Sequence, residues 1–338
     1  MDSHSILSVE ENKIDGGCVY SLVLSALVIP CLLLTISYPA VAETPSDDSS
    51  GREDVTASAQ EKRTVMNTGK VKREESLLRE RLHIHREALE QQYAFLPYRE
   101  NYVVFSHMFN GVNLQPFEEA FPDEQFNYRD DELQFQLSFL IPLMVDILDS
   151  SVSLYGGYTN RSFWQILDHE DSRPFRETNH EPEIWLSYFY DLHWGGLKAP
   201  MIWFGYSHQS NGQYVSLSRG WNRLYVQAFF DYRRWSYSIK VWDKLPGGSE
   251  EDNLYDYQKF IGHGELDVNY AFTRNDMGLR YSFSADGLEY GSWTADFTVP
   301  FSKSLSFYMR YFYGYGESLI DVEYKSNTFS IGIKLNQW

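Results

Sequence analysis

Beyond residue 42 the sequence has no cysteine and no apolar run long enough to cross a bilayer as a helix. The two cysteines, Cys18 and Cys31, both lie in an N-terminal apolar stretch, so the rest of the chain depends on no disulfide. That usage permits export without demanding it. A spanning helix needs about 20 apolar residues, so any membrane crossing by the bulk of the chain has to use strands. Positive charge is also scarce: 29 Lys and Arg against 47 Asp and Glu leave a formal charge of -18. A surface of that sign repels a phosphate backbone, which argues against nucleic acid as a partner and makes a divalent cation the better guest.

What is abundant is aromatic side chain. Phe, Trp and Tyr make up 17% of the 338 residues, yet the mean hydropathy is only -0.42. A transmembrane barrel reconciles the two, because its strands alternate apolar with polar residues while aromatics collect at both membrane interfaces.

The one long apolar run, from about Val19 to Tyr38, ends in Pro39-Ala40-Val41-Ala42 before Glu43. Residues 1–42 therefore read as a signal peptide with a small-residue cleavage site after Ala42. The run is also long enough to span a bilayer, so an anchor helix stays open. Asp2, Glu10, Glu11 and Asp15 outnumber Lys13 ahead of it, a departure from the basic lead-in such peptides carry that raises the question of the true translation start. Residues 43–69 are rich in Ser, Asp, Thr and Glu, which predicts a disordered periplasmic linker. From Val71 to about Gln92, Leu78, Leu82 and Leu89 recur near one face among Glu and Arg at helical spacing, which predicts a short periplasmic helix. His83 and His85 fall here as solvated helix residues.

After Pro97 the period changes to two. Leu133-Gln134-Phe135-Gln136-Leu137-Ser138-Phe139 alternates strictly, as do the sets Leu266, Val268, Tyr270, Phe272; Leu305, Phe307, Met309, Tyr311, Tyr313; and Phe329, Ile331, Ile333, Leu335. One face of each is suited to hydrocarbon and the other to water. Turn signals such as Arg274-Asn275-Asp276 separate them. Residues 97–338, at about twenty per strand with its connection, predict an antiparallel β-barrel of about twelve strands.

One stretch breaks the greasy pattern. In Ile202-Trp203-Phe204-Gly205-Tyr206-Ser207-His208-Gln209-Ser210, parity puts Ile202, Phe204, Tyr206, His208 and Ser210 on one face, apolar until its end. A histidine and a serine on a lipid face are costly unless they serve each other. Same-face neighbours on a strand stand roughly 6.5 to 7 Å apart, close enough for an imidazole to act as base for a hydroxyl nucleophile. Asn222 shares parity with Leu224, Val226 and Ala228, and a hairpin would bring it beside His208 to hold the ring. Each residue alone also has an ordinary reading: an interfacial aromatic, a loop serine, a turn asparagine.

His208-Gln209-Ser210-Asn211-Gly212, followed by Ser218-Arg219-Gly220-Trp221-Asn222-Arg223, closely resembles the active-site hairpin of the outer membrane phospholipase A family. The resemblance extends to Arg173-Pro174-Phe175-Arg176-Glu177-Thr178-Asn179 with Glu181-Pro182, and to Gly314-Tyr315-Gly316-Glu317-Ser318-Leu319-Ile320-Asp321. It covers roughly residues 97 to 338. It implies a twelve-stranded Gram-negative outer-membrane barrel that hydrolyses acyl esters of phospholipids, with phospholipase A1, A2 and lysophospholipase activity. In that family Ser210 would be the nucleophile, His208 the general base, Asn222 the ring orienter, and the Gly212 N–H part of the oxyanion hole. It further implies a calcium-stabilised homodimer, the Ca2+ held by the carbonyl of Gln213, by Ser218, and by Ser172 of the partner subunit. The departure is that residues 213–218 contain no carboxylate, which would weaken the ion's hold.

Three rivals remain at this stage. A porin or transporter explains the barrel but leaves His208 and Ser210 without a purpose. A soluble secreted β-protein would partition without detergent. A related lipid hydrolase or acyltransferase would use the same pair, since such a triad fixes acyl chemistry but not the acceptor.

Overall fold

The computed structural model describes Leu78 and residues 95–168, 175–214, 216–246, 256–272, 276–284 and 287–336. The expected signal peptide and linker lie outside the described residues, as do Ser172, the turn residues 273–275 and the expected N-terminal helix apart from Leu78, which is helical and buried.

Strands form wherever the period-two pattern runs. They are β1 Leu96–Pro97, β2 Tyr102–Met108, β3 Asp131–Met144, β4 Val152–Trp164, β5 Phe175–Trp194, β6 Leu197–Ser210, β7 Gly220–Tyr232, β8 Trp235–Leu245, β9 Gly264–Ala271, β10 Asp276–Ser284, β11 Gly287–Pro300, β12 Leu305–Gly314 and β13 Ser326–Leu335. From β2 onward each pairs antiparallel with its sequence neighbours, and β13 closes onto β2 from Thr328↔Met108 to Lys334↔Tyr102. Both β1 and β2 lie against β3, with Leu96↔Leu140 and Tyr102↔Gln136, so they form one interrupted strand and twelve strands complete the ring. The interruption turns Tyr98 and Arg99 into the lumen, where Tyr98 stacks on Trp185 at 4.9 Å and Arg99 reaches Glu181 and Glu183.

Parity sorts the side chains as expected. Val103, Phe105, Leu137, Ile184, Leu186, Phe204, Phe307, Ile331 and Ile333 are exposed on the outer wall, where lipid replaces water. The alternate positions face inward and are polar: Glu132, Gln134, Ser138, Glu181, Glu183, Ser207 and Thr328 are all buried. Inward aromatics fill part of the lumen, with Trp185, Trp203, Tyr225 and Trp242 in one cluster. Gly205 exists to make room for it, since a Cβ there would stand 2.5 Å from the Tyr225 ring. A soluble sandwich would need two sheets with facing apolar sides. This single closed sheet has its apolar side outward, which removes that reading.

The two ends differ. Short connections, such as Gly195-Gly196 and Arg233-Arg234, join strands at one end. The other end carries the long ones: 109–130 with helix α1 Gln115–Ala120, 211–219, 246–263 with helix α2 Tyr257–Ile261, and 315–325. In outer-membrane barrels the long loops are extracellular, so Ser210, the last residue of β6, sits at the outer end. There Phe117, Phe126, Leu217 and Ile320 pack as a small second core that binds the loops together.

Beside its aromatic cluster the lumen is held by ion pairs. Arg176, 2% exposed, donates to Glu132 at 3.0 and 3.1 Å and to Asp321 at 2.7 Å. Arg223 and Lys240 pair with Glu181 and Glu183, and Arg310 with Glu317. Removing one member strands a buried charge, a loss of about 3 to 5 kcal/mol. Arg176→Met should therefore lower the urea midpoint of the detergent-refolded barrel by a corresponding amount; an unchanged midpoint would show that the network adds nothing to stability.

Candidate active site

β6 and β7 form the hairpin that carries the predicted residues. Their register sets His208 opposite Asn222 and Ser210 opposite Gly220. Both His208 and Asn222 are half-buried on the outer face, in line with exposed Phe204, Tyr206 and Leu224. His208 Nδ1–H donates to Asn222 Oδ1 at 2.9 Å, so that in the neutral ring the proton sits on Nδ1 and Nε2 is the acceptor a general base requires. The Tyr206 hydroxyl donates to the same oxygen at 2.6 Å. Ser210 lies two residues beyond His208 on the same face, with no hydrogen bond between hydroxyl and imidazole in this structure. Such contacts commonly tighten only when substrate is in place.

Beyond Ser210 the chain turns through Gly212, whose φ of +62° favours glycine and around whose absent Cβ nothing lies within 4 Å. Its N–H donates to no group among the described residues. Gln213 and Ser218 follow in the same loop. The Gln213 N–H donates to Asn211 Oδ1 at 3.3 Å, and the Ser218 carbonyl accepts from Arg219 at 2.9 Å. Ser172, the third expected calcium ligand, lies outside the described residues. The remaining donors, a backbone carbonyl and a serine hydroxyl, are the neutral oxygens that a hard cation accepts.

Sequence reasoning gave no role to the group that holds this loop. Asn211 is buried and ties four points together: its amide donates to the Leu217 carbonyl at 2.8 Å and Glu177 at 3.3 Å, and its carbonyl accepts from Arg219 N–H at 2.9 Å and from Gln213. Glu177 in turn accepts from Asn179 and from the Ile320 N–H at 3.2 Å, and Asn179 accepts from the Leu319 N–H at 3.1 Å. The hairpin is thus fastened from inside the lumen to the 315–325 loop. Parity could have found Asn211, since its odd number turns it inward. Tyr206 was legible only as a lipid-facing aromatic, because its partner lies on the next strand.

A closed antiparallel barrel with an apolar outer wall, and with a histidine–asparagine pair beside a serine on that wall, defines an outer-membrane protein of the lipid-hydrolase class. The Phospholipase A1 family profile matches residues 78–335. The chain belongs to that family. It is 32% identical over 244 residues to Phospholipase A1 of Escherichia coli K12, covering 72% of this chain and 82% of that protein. It is 33% identical over 240 residues to Phospholipase A1 of Klebsiella pneumoniae, covering 71% and 82%.

Among solved structures, E. coli outer membrane phospholipase A superposes with a TM-score of 0.67 at 30% identity over 72% of this chain and 99% of that one. An active-site mutant of the same enzyme, asparagine replaced by alanine, matches with a TM-score of 0.66 at 29% identity over 72% and 92%. A Salmonella typhi outer membrane phospholipase dimer with bound calcium matches with a TM-score of 0.67 at 31% identity over 72% and 93%. The protein is a phospholipid-hydrolysing enzyme of the Gram-negative outer membrane. The porin reading falls with that membership.

Asn211→Ala leaves several loop groups unpaired, at about 1 to 3 kcal/mol for each buried one. We expect kcat/KM on phospholipid to drop at least about tenfold, equivalent to about 1.4 kcal/mol, while the barrel still shows heat-modifiable migration in gels. Wild-type kinetics in this variant would show that the loop holds its shape without the clamp.

Proposed function

We propose that the β6–β7 hairpin hydrolyses acyl esters of phospholipids, at sn-1 and sn-2 and in lysophospholipids, through Ser210, His208 and Asn222 in a calcium-dependent homodimer. The observation that carries this reading is the His208 Nδ1–Asn222 Oδ1 hydrogen bond on the lipid-facing wall, two residues from Ser210.

The chemistry follows from the tautomer. His208 Nε2 takes the proton from Ser210 Oγ as the oxygen attacks the ester carbonyl, and returns it to the departing glycerol oxygen. A water then attacks the acyl-serine with His208 again as base. Asn222 supports the imidazolium as a neutral acceptor, which suits a hydrocarbon face where an anion would be expensive. The Gly212 N–H, unpartnered among the described residues and at an open position, serves the carbonyl oxygen as charge builds on it. The asparagine whose loss defines an active-site mutant of the E. coli relative supports the role given to Asn222.

Calcium, dimer and cleft belong to the same reading. The S. typhi relative forms a dimer with bound calcium, and here Gln213, Ser218 and Ser172 of the partner subunit would hold the ion. Bound there, calcium would add positive charge beside the ester carbonyl. Two walls laid flank to flank would give the acyl chains a groove between them.

The decisive assay is fatty-acid release from phospholipid micelles by detergent-refolded protein with calcium or with chelator. We expect release with calcium, its loss with chelator, and its loss in Ser210→Ala at unchanged folding; full activity in Ser210→Ala would remove the nucleophile. Asn222→Ala should retain a residue of activity, reduced roughly a hundredfold, or about 3 kcal/mol, and undiminished rates would take Asn222 out of the site.

A further inference from the structure

A second histidine lies on the lipid-facing wall beside Ser210. On β5, His180 is the direct cross-strand partner of Ser210, just as Asn222 is of His208. Its parity is that of exposed Ile184 and Leu186, so it too faces outward, half-buried. Directly opposed residues have Cβ atoms about 5 Å apart, whereas same-face neighbours along one strand are separated by roughly 6.5 to 7 Å. His180 is therefore at least as close to the serine's backbone as His208 is.

The two imidazoles are held in opposite senses. His208 donates through Nδ1 and keeps Nε2 as an acceptor. His180 Nδ1 lies 2.6 Å from the Tyr158 hydroxyl and 3.4 Å from the Asn160 amide nitrogen. The amide N–H can only donate, so His180 Nδ1 accepts and the ring's proton sits on Nε2. No group among the described residues accepts from that Nε2–H. A donor left open toward hydrocarbon is costly, and a substrate seated on Ser210 is what could meet it.

Its charge surroundings narrow the partner. The outward positions around this row are Tyr158, Asn160 and Ser162 on β4, Thr178, His180 and Pro182 on β5, Tyr206, His208 and Ser210 on β6, and Gly220, Asn222 and Leu224 on β7. None is Lys or Arg. The nearby Arg161 and Arg223 point inward and pair with Glu317 and Glu181. Apart from the proposed base, His180 is the one imidazole among the described residues of this patch, so its Nε2–H is a ring donor that can be offered to an anion.

We propose that His180 is a substrate-binding residue whose Nε2–H takes the phosphodiester of the lipid whose acyl ester lies on Ser210, so that the site favours phospholipids over uncharged esters. The proposal rests on Ser210 as nucleophile. Tyr158 and Asn160 are then positioning residues that fix the tautomer.

The test compares two substrates on the refolded full chain with calcium: phosphatidylcholine in mixed micelles, and a long-chain p-nitrophenyl ester that has no phosphate. His180→Phe should raise KM for phosphatidylcholine about tenfold, the worth of one hydrogen bond to an anion, with kcat little changed and both constants for the neutral ester unchanged. His180→Gln, which keeps an N–H donor, should recover most of the difference and also serves if the phenylalanine variant fails to fold. Equal losses on both substrates, a fall in kcat alone, or an unchanged KM for phosphatidylcholine would each overturn the assignment. Ser210→Ala run alongside separates the two readings: if it still turns over the neutral ester, the nucleophile is wrong whatever His180 does.

Discussion

Backbone N–H and C=O groups inside hydrocarbon have no water to bond with, and everything else in this molecule follows from that constraint. The sheet answers it by closing β13 onto β2, so that no edge is left to seek a partner. Closure fixes the register of every strand pair, and register fixes which side chains meet. His208 and Asn222 are joined because the ring holds β6 and β7 at one offset; a slip of one residue would send both into the lumen.

With the apolar side chains committed to the outer wall, the inside has to be polar, and it is organised as paired charges. Arg176 with Glu132, Arg223 with Glu181 and Lys240 with Glu183 bridge strands that are not neighbours, and Arg176 with Asp321 ties β5 to the 315–325 loop, which stiffens the wall from inside. The same polar interior reaches the outer end through Glu177 and Asn211 and steadies the loop that follows Ser210. A wall exposed to fluid lipid thereby acquires a hairpin fastened from behind, the kind of support that precise placement of reacting groups demands.

How much of this was legible in the sequence depended on distance along the chain. Alternation is a local property, so the strands, the outward face of Ser210, His208 and Asn222, and the approximate strand number could be read from short windows. The hairpin brought Asn222 to His208 because only one turn separates them. Tyr206 on the Asn222 oxygen, Glu177 beneath Asn211 and His180 opposite Ser210 each depend on a register between strands, which no window contains. The ion pairs of Arg176 span 44 and 145 residues, and composition alone announced only that charges were present. The resemblance to phospholipase A supplied roles for Gly212, Gln213 and Ser218 that periodicity did not.

The placement of Ser210 at the very end of β6 has a consequence for the cell. β6 runs fourteen residues from the short-turn rim to the serine, about 45 Å of strand, so the proposed reactive row stands near the outer surface and nowhere near the periplasmic half of the bilayer. With Ser210 as the proposed nucleophile the barrel would be a one-sided tool: lipids of the opposite monolayer would be beyond its reach however abundant they are. On the proposed reading a phospholipid would become a substrate by changing sides, and flip-flop, rather than total lipid content, would set how much the protein has to work on.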